Sequence, residues 1–553
     1  MKSLLKRPSM FGIMLGMVAM ALSLTPSLIP RSWMEQAAIA ALTFISGYAV
    51  GVGLNALWRY LELPVVPRTR QARVTWILLG VAALLLLYAV VRSLGWQNNV
   101  RATVGLEPLD STAPLRMILL AVLLSAFLLL VLRVLGWLGG RVIALTNRII
   151  PRRVGRAIGI GLAVLLIFFL INGVLVRAIF DALDATYSVA NSGNYDNVSP
   201  PTSPLRSGSP ESLVAWETLG KEGRRFVGTG PTTAEIADFW GKDAEAEPIR
   251  IYIGSESAPT LEERAALALQ ELQRTNAFDR ELLILVTSTG NGWVDANAIN
   301  AIEYIYGGDT AIVAFQYSYL PSVYSMLADK EAATRASVAM FDTIHGYWRT
   351  LGPDTRPAFY LYALSLGTYG SQAAVSNVNQ LNDPIHGALW AGPPFVSEFW
   401  QQLTAQRDPG TPIWQPVYQG GTTMRFTNTG ANLHDDEDAW LRNRFIYLQQ
   451  AGDPIVFFRP DSLYRRPEWL QAEQRSPKAP SQMHWYPVVT FWQLIFDMVM
   501  AVGDSLPDGN GHRYSSDAYI ESWVAMTQPP EWSPAQTDAL KSLFHSLGNL
   551  NKP

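Results

Sequence analysis

Hydrophobic positions in this chain follow two regimes. Up to about residue 180, apolar residues run on without a short period, and charge is nearly absent from stretches of membrane-span length. A hydrocarbon core of about 30 Å asks for roughly 20 apolar residues in a helix. Stretches 10–28, 37–58, 74–91, 117–132 and 158–176 meet or approach that length, the fourth by extending past Arg133 towards Leu138, so about five transmembrane helices are expected. Beyond them, short apolar runs at 249–254, 282–286, 310–315, 358–364, 388–390 and 445–448 alternate with helical spacing at 261–274 and 331–351. That alternation predicts a mainly parallel sheet covered by helices on both faces. The expected organisation is an all-α transmembrane bundle over 1–181, a linker and lead-in over 182–247, and an α/β domain over 248–553. The stretch 191–210, rich in Ser, Pro, Asn and Gly, carries the linker reading.

Basic residues give the bundle a direction. Lys2, Lys6 and Arg7 precede the first stretch; Arg59, Arg68, Arg70 and Arg73 follow the second; Arg141, Arg148, Arg152, Arg153 and Arg156 follow the fourth. Loops rich in Lys and Arg stay on the cytoplasmic side. Five crossings then place the α/β domain outside the cytoplasm. The first stretch has the basic start of a secretory signal, but its apolar core is long and four more stretches follow, so it reads as a retained helix.

In a parallel sheet, active sites lie beyond the carboxyl ends of the strands. The run 358–364 ends in Ala363-Leu364-Ser365-Leu366-Gly367. Small residues two before and two after a serine permit the sharp strand-to-helix turn that exposes a nucleophilic hydroxyl. That hydroxyl needs an imidazole to take its proton and a carboxylate to orient the imidazole, and α/β-hydrolases supply them in the order Ser, Asp, His. Asp453 follows the run 445–448, and His512 stands in the Gly-rich loop Gly509-Asn510-Gly511-His512 before a helix expected at 517–526. Among the six histidines, His345 falls within a helix; His386 and His434 precede Asp453; His545 lies in the last helix. His484 is the competitor, but Trp485-Tyr486-Pro487 leads from it into another apolar helix at 488–502. Backbone N–H groups for an oxyanion are expected from Leu366 and from Gly290 or Asn291 after the run 282–286. A lid insertion is expected at about 395–440; Trp390, Phe395, Phe399, Trp400, Trp414, Phe426 and Trp440 either line an acyl groove there or form the lid's own core.

Composition narrows the chemistry. The 553 residues include no cysteine, which removes disulfides, thiolate nucleophiles and cysteine-bound metals. A net charge of −3 with no basic patch argues against a nucleic-acid partner. The acidic run at 435–438 reads as a solvated loop, and no metal or organic cofactor is required.

The words Ala21-Leu22-Ser23-Leu24-Thr25-Pro26-Ser27-Leu28-Ile29-Pro30-Arg31, Thr287–Trp293, Gly308–Val313, Gln316–Leu320, Leu389-Trp390-Ala391-Gly392-Pro393-Pro394, Asp453-Pro454-Ile455-Val456 and Gly511-His512 resemble a bacterial family that joins a multi-span N-terminal domain to an α/β-hydrolase catalytic domain. The resemblance covers nearly the whole chain and implies Ser365, Asp453 and His512 as the triad. Two departures stand out: the family's Gly-Glu-Ser-Leu-Gly elbow is Ala363-Leu364-Ser365-Leu366-Gly367 here, and its His at position 510 is Asn510. The expectation is a serine hydrolase, esterase- or lipase-like, anchored in the bacterial inner or plasma membrane. It would cleave a lipid or envelope ester through an acyl-enzyme. An acyltransferase with the same triad, and a non-catalytic membrane scaffold or transport component, are the alternatives.

Overall fold

The computed structural model of the chain describes residues 8–551 apart from 65, 66, 150, 169–176, 376–382, 436–438, 504 and 505. The chain divides into two compact units, one of Met1–Asp181 with Phe458–Pro507 and one of Ala182–Phe457 with Asp508–Pro553. The division near residue 181 coincides with the change of hydrophobic pattern. The inclusion of 458–507 in the N-terminal unit does not follow from the sequence reading, which kept 248–553 as one domain.

The N-terminal unit is helical: α1 Met10–Ser23, α2 Trp33–Tyr60, α3 Arg68–Thr103, α4 Ala113–Ile149 and α5 Arg152–Phe168. Of these, α2, α3 and α4 are long and apolar enough to cross a membrane. Among the described residues, three helices are thus long and apolar enough to cross a membrane, where about five transmembrane helices were expected. The stretch expected at 10–28 stops at Ser23, because Pro26 removes a donor and bars the helical conformation to the residue before it. With 14 residues α1 is too short to span. The described part of the fifth stretch ends at Phe168, and its remainder, 169–176, lies outside the described residues. Leu84, Tyr88 and Val91 on α3 and Leu123 and Phe127 on α4 are exposed, which suits helices whose solvent is lipid.

Helices α1 and α2 meet through paired glycines. A Cβ on Gly16 would meet Phe44 O at 2.8 Å; one on Gly47 would meet Leu15 O at 2.6 Å; one on Gly51 would meet Gly12 Cα at 2.8 Å. The spacings Gly12–Gly16 and Gly47–Gly51 are the small-xxx-small pattern that lets helix backbones approach where no hydrophobic effect drives them together. The start of α2 is set by Ser32, whose hydroxyl accepts from Glu35 N–H while Glu35 accepts from Ser32 N–H at 2.6 Å.

The second unit is built on seven strands: β1 Ile249–Ile253, β2 Leu282–Thr287, β3 Thr310–Phe315, β4 Ala358–Leu364, β5 Gly387–Ala391, β6 Met424–Thr427 and β7 Arg444–Leu448. They lie in the order β1-β3-β2-β4-β5-β7-β6 and every pairing is parallel. The near-continuous apolar strands suit burial on both faces. Strand β6 falls inside the stretch expected to be a lid, so 395–440 supplies an edge strand of the main sheet. Nor is 182–247 a free linker. Ser207 N–H donates to Arg250 O at 3.0 Å and Arg250 N–H to Leu205 O at 3.1 Å, which ties this stretch to β1. The buried Arg250 guanidinium donates to Glu303 and to Phe226 O, closing helix Gly220–Gly228 onto the sheet.

Replacing Gly47 with Val should separate α1 from α2 and lower stability by about 1–3 kcal/mol, the usual range for overpacking. Gly53→Val, whose Cβ would meet nothing within 4 Å, should not. Thermal unfolding of both variants in detergent micelles checks this.

Candidate active site

Strand β4 ends at Leu364 and helix Leu366–Val375 begins two residues later, so one residue, Ser365, makes the whole turn. It does so at φ +59°, in the left-handed region that L-residues other than Asn and Asp rarely occupy. Its N–H donates to Ala391 O at 3.0 Å, and its carbonyl accepts from Thr368 N–H at 2.9 Å and Thr368 Oγ1 at 2.8 Å. The strain is thus held from both sides, as expected of a strand-to-helix nucleophile elbow. Gly367 is required by close approach: a Cβ there would drive into the carbonyl oxygens of Thr287 and Ser288. Ala363, two residues before the serine, is fully buried in register with Thr287 and Trp390.

Asp453 follows β7 and is fully buried. Its Oδ2 lies 2.6 Å from His512 Nδ1 and accepts from Tyr514 Oη at 2.8 Å, and its Oδ1 accepts from Ile455 N–H at 2.9 Å. The partner at Nδ1 assigns that nitrogen the proton, leaving Nε2 as the acceptor of the ring. Nε2 is buried and has no hydrogen-bond partner among the described residues. The His512 loop is shaped by Gly509 N–H donating to Arg513 O at 2.7 Å and by Gly511 at φ +61°.

Gly392 joins the two halves of the site. It follows Ala391, the acceptor for Ser365 N–H, and a Cβ on it would meet His512 Cε1 at 2.5 Å. Only glycine, at φ +57°, lets the imidazole lie against the backbone one residue from the contact of Ser365. Ser365 and the His512 ring thereby touch adjacent residues, Ala391 and Gly392, at the carboxyl end of β5, and Asp453 holds Nδ1 of that ring. Such a set can pass a proton from a hydroxyl to an imidazole held in one tautomer by a buried carboxylate.

The expected oxyanion donors fare unequally. Leu366 opens the elbow helix, directly after Ser365. Gly290 N–H already donates to Ser322 Oγ at 3.1 Å, which takes it away from a substrate. Asn291 forms a turn in which its Oδ1 accepts from Thr289 Oγ1 at 3.0 Å and its carbonyl accepts from Gln316 Nε2 at 2.9 Å.

The other histidines are occupied elsewhere. His345 stacks against Phe341 and Trp348; His386 Nδ1 accepts from Phe359 N–H at 3.0 Å; His434 and His545 pair with Glu521 and Asp517. His484 is exposed, its Nδ1 2.8 Å from Gln482 O, and belongs to the N-terminal unit. The acidic run retains only Asp435 among the described residues, in which no cluster of potential metal ligands occurs. The expected groove aromatics are mostly core: Trp390, Trp400, Phe426 and Trp440 are buried, and Trp390 and Trp400 donate to Ser371 Oγ and Gln449 Oε1. A cavity of about 380 Å³ lined by Trp414, Met424, Arg425 and Phe426 lies beside β6, three strands away from β4.

The model of an alpha/beta-hydrolase family matches residues 249–540, and that of the same family's N-terminus matches 24–231. The chain belongs to this alpha/beta-hydrolase family. No curated protein and no solved structure matches it. Both halves of the alpha/beta-hydrolase chain, the apolar helices and the parallel sheet, are thus features of one family.

Sequence reasoning missed Tyr514. It stands two residues after His512, and its phenol reaches the carboxylate oxygen that the imidazole also uses. Burial, then the neighbouring Asp453, push the Tyr514 phenol well above its ordinary pKa, so it remains a neutral donor. Beside it, Tyr362 Oη donates to Tyr519 Oη at 3.1 Å and Tyr519 Oη to Asp295 Oδ2 at 3.1 Å. Burial pushes the Asp295 carboxyl up to about 6.

Tyr514→Phe should leave the buried carboxylate one donor short and cost about 1.5–3 kcal/mol, the range for hydrogen bonds to charged groups. Chemical denaturation against wild type measures it. Asp295 binds its proton more tightly folded than unfolded, so its contribution falls as pH rises from about 4 to about 6, by on the order of 2 kcal/mol. In Asp295→Asn that decline should be absent when unfolding is followed across this range.

Proposed function

We propose that this chain is a membrane-anchored serine hydrolase that cleaves acyl esters through an acyl-enzyme. The reading rests on one observation above the others: a serine strained to φ +59° at a strand end, beside a buried Asp453–His512 pair whose Nε2 is left unpartnered among the described residues. Ser365 Oγ attacks the acyl carbonyl as its proton passes to His512 Nε2. Asp453 orients the imidazole and stabilises its cation. The N–H groups of Leu366 and Asn291 receive the oxyanion, Gly290 N–H being engaged by Ser322. His512 then returns the proton to the leaving alcohol, and a water molecule activated the same way releases the acid.

The bilayer and an ester, lipid or envelope-derived, are the partners in this reading. The arginines between α2 and α3 and around the α4–α5 junction favour a cytoplasmic position for those turns, so an extracytoplasmic α/β domain requires one further crossing, within the apolar stretch 158–176.

Membranes holding the full chain should react with a fluorophosphonate probe, and Ser365→Ala should abolish labelling. His512→Ala should slow it by about 10³-fold or more, while His484→Ala should label as wild type does. A folded wild-type protein that takes up no probe would overturn the proposal; loss of labelling in His484→Ala would move the base to that residue.

A further inference from the structure

Helix Val489–Ala501 in the N-terminal unit is polar inside and apolar outside. Its three polar side chains, Thr490, Gln493 and Asp497, are all fully buried. Every position of it that retains surface is apolar: Phe491, Trp492, Ile495, Phe496, Val499 and Met500, with Val499 47 % exposed and Val502, just beyond, 42 %. A surface helix in water has the opposite arrangement. Helix Leu261–Arg274 of the other unit shows it, with Ala265, Ala268 and Leu272 buried and Glu262 exposed.

The buried polar groups have dedicated partners. Asp497 accepts from Ser27 Oγ at 2.7 Å and Leu28 N–H at 3.1 Å, and pairs with Arg31 at 3.4 Å, both side chains being fully buried. Gln493 Nε2 donates to Ser23 O at 3.2 Å and Thr25 O at 3.0 Å, the carbonyls that end α1 and enter the turn. Trp492 Nε1 donates to Ser46 Oγ on α2 at 2.9 Å. Charges and polar groups turned inward and paired, with apolar side chains outward, are how a helix is solvated by hydrocarbon. The Trp492–Ser46 bond joins the helix to α2, which is itself long and apolar enough to cross a membrane.

The helix has 13 residues. At 1.5 Å per residue it is about 20 Å long, short of the roughly 30 Å hydrocarbon core. The stretch 458–507 that contains it leaves the α/β unit after Phe457 and rejoins that unit at Asp508.

We propose that the outer face of this helix, Phe491, Ile495, Phe496, Val499 and Val502, is in contact with bilayer acyl chains. Helix Val489–Ala501, in the chain between Asp453 and His512, is then a re-entrant membrane element supplied by the hydrolase half of the chain. The inference stands whether or not Ser365 is a nucleophile.

The absence of native cysteine makes the test direct. Val499→Cys in the full chain is labelled with a nitrobenzoxadiazole dye and reconstituted in phosphatidylcholine vesicles. Its emission should be blue-shifted, quenched by doxyl-bearing phosphatidylcholine and untouched by iodide. Val417→Cys, at an exposed valine of the α/β unit, should show the reverse. Ile495→Cys repeats the measurement should the first variant fail to fold. Iodide quenching at 499 and 495 would overturn the proposal. So would cross-linking of two copies through these positions without lipid quenching, because a second copy would then cover the face.

Discussion

Parallel register is the constraint on which the candidate site depends. Leu364, Ala391 and Leu448 are paired across β4, β5 and β7, so these three strands end in line. One residue beyond each stand Ser365, Gly392 and Gln449. Backbone bonds continue the ladder past the strand ends: Ser365 N–H reaches Ala391 O, and Gly392 N–H reaches Leu448 O at 2.8 Å. The same hydrogen-bonding rule that builds the sheet therefore fixes the serine, the surface on which the imidazole rests, and the start of the turn that carries Asp453.

Much of this was legible in the sequence because it is local. Apolar runs bounded by turn residues announced β1 to β4 nearly to the residue, and the Ala-Leu-Ser-Leu-Gly turn announced the elbow, since small side chains leave few other conformations open. Strand β6 was hidden: four residues, Met-Arg-Phe-Thr, with an arginine whose guanidinium donates to Leu433 O and Asp435 O, carry no strand period. Tyr514 was hidden because nothing at positions 512–514 says which side chains turn towards Asp453. The length of α1 was overestimated on account of a single residue, Pro26, whose effect outweighs the hydrophobicity around it.

The grouping of 458–507 with the N-terminal unit was not legible in the sequence. The sequence shows an apolar helix at 488–502, but hydrophobic pattern alone does not distinguish a helix of a core from one on a membrane. What distinguishes them is where the polar residues go, and that depends on partners far away in sequence. Thr490, Gln493 and Asp497 look like the wet face of an ordinary amphipathic helix until Ser23, Thr25, Ser27 and Arg31 are placed against them.

The pairing of Arg31 with Asp497 spans 466 positions. A ribosome makes the arginine 466 residues before its carboxylate. Throughout that interval the turn after α1 holds a guanidinium without its counter-ion, and the carbonyls at Ser23 and Thr25 wait for Gln493. The helical unit thus reaches its final form only after Asp497 has been made. Neither half, produced alone, carries the full set of groups that neutralise this turn, and assembly of the whole is timed by the arrival of one short late helix.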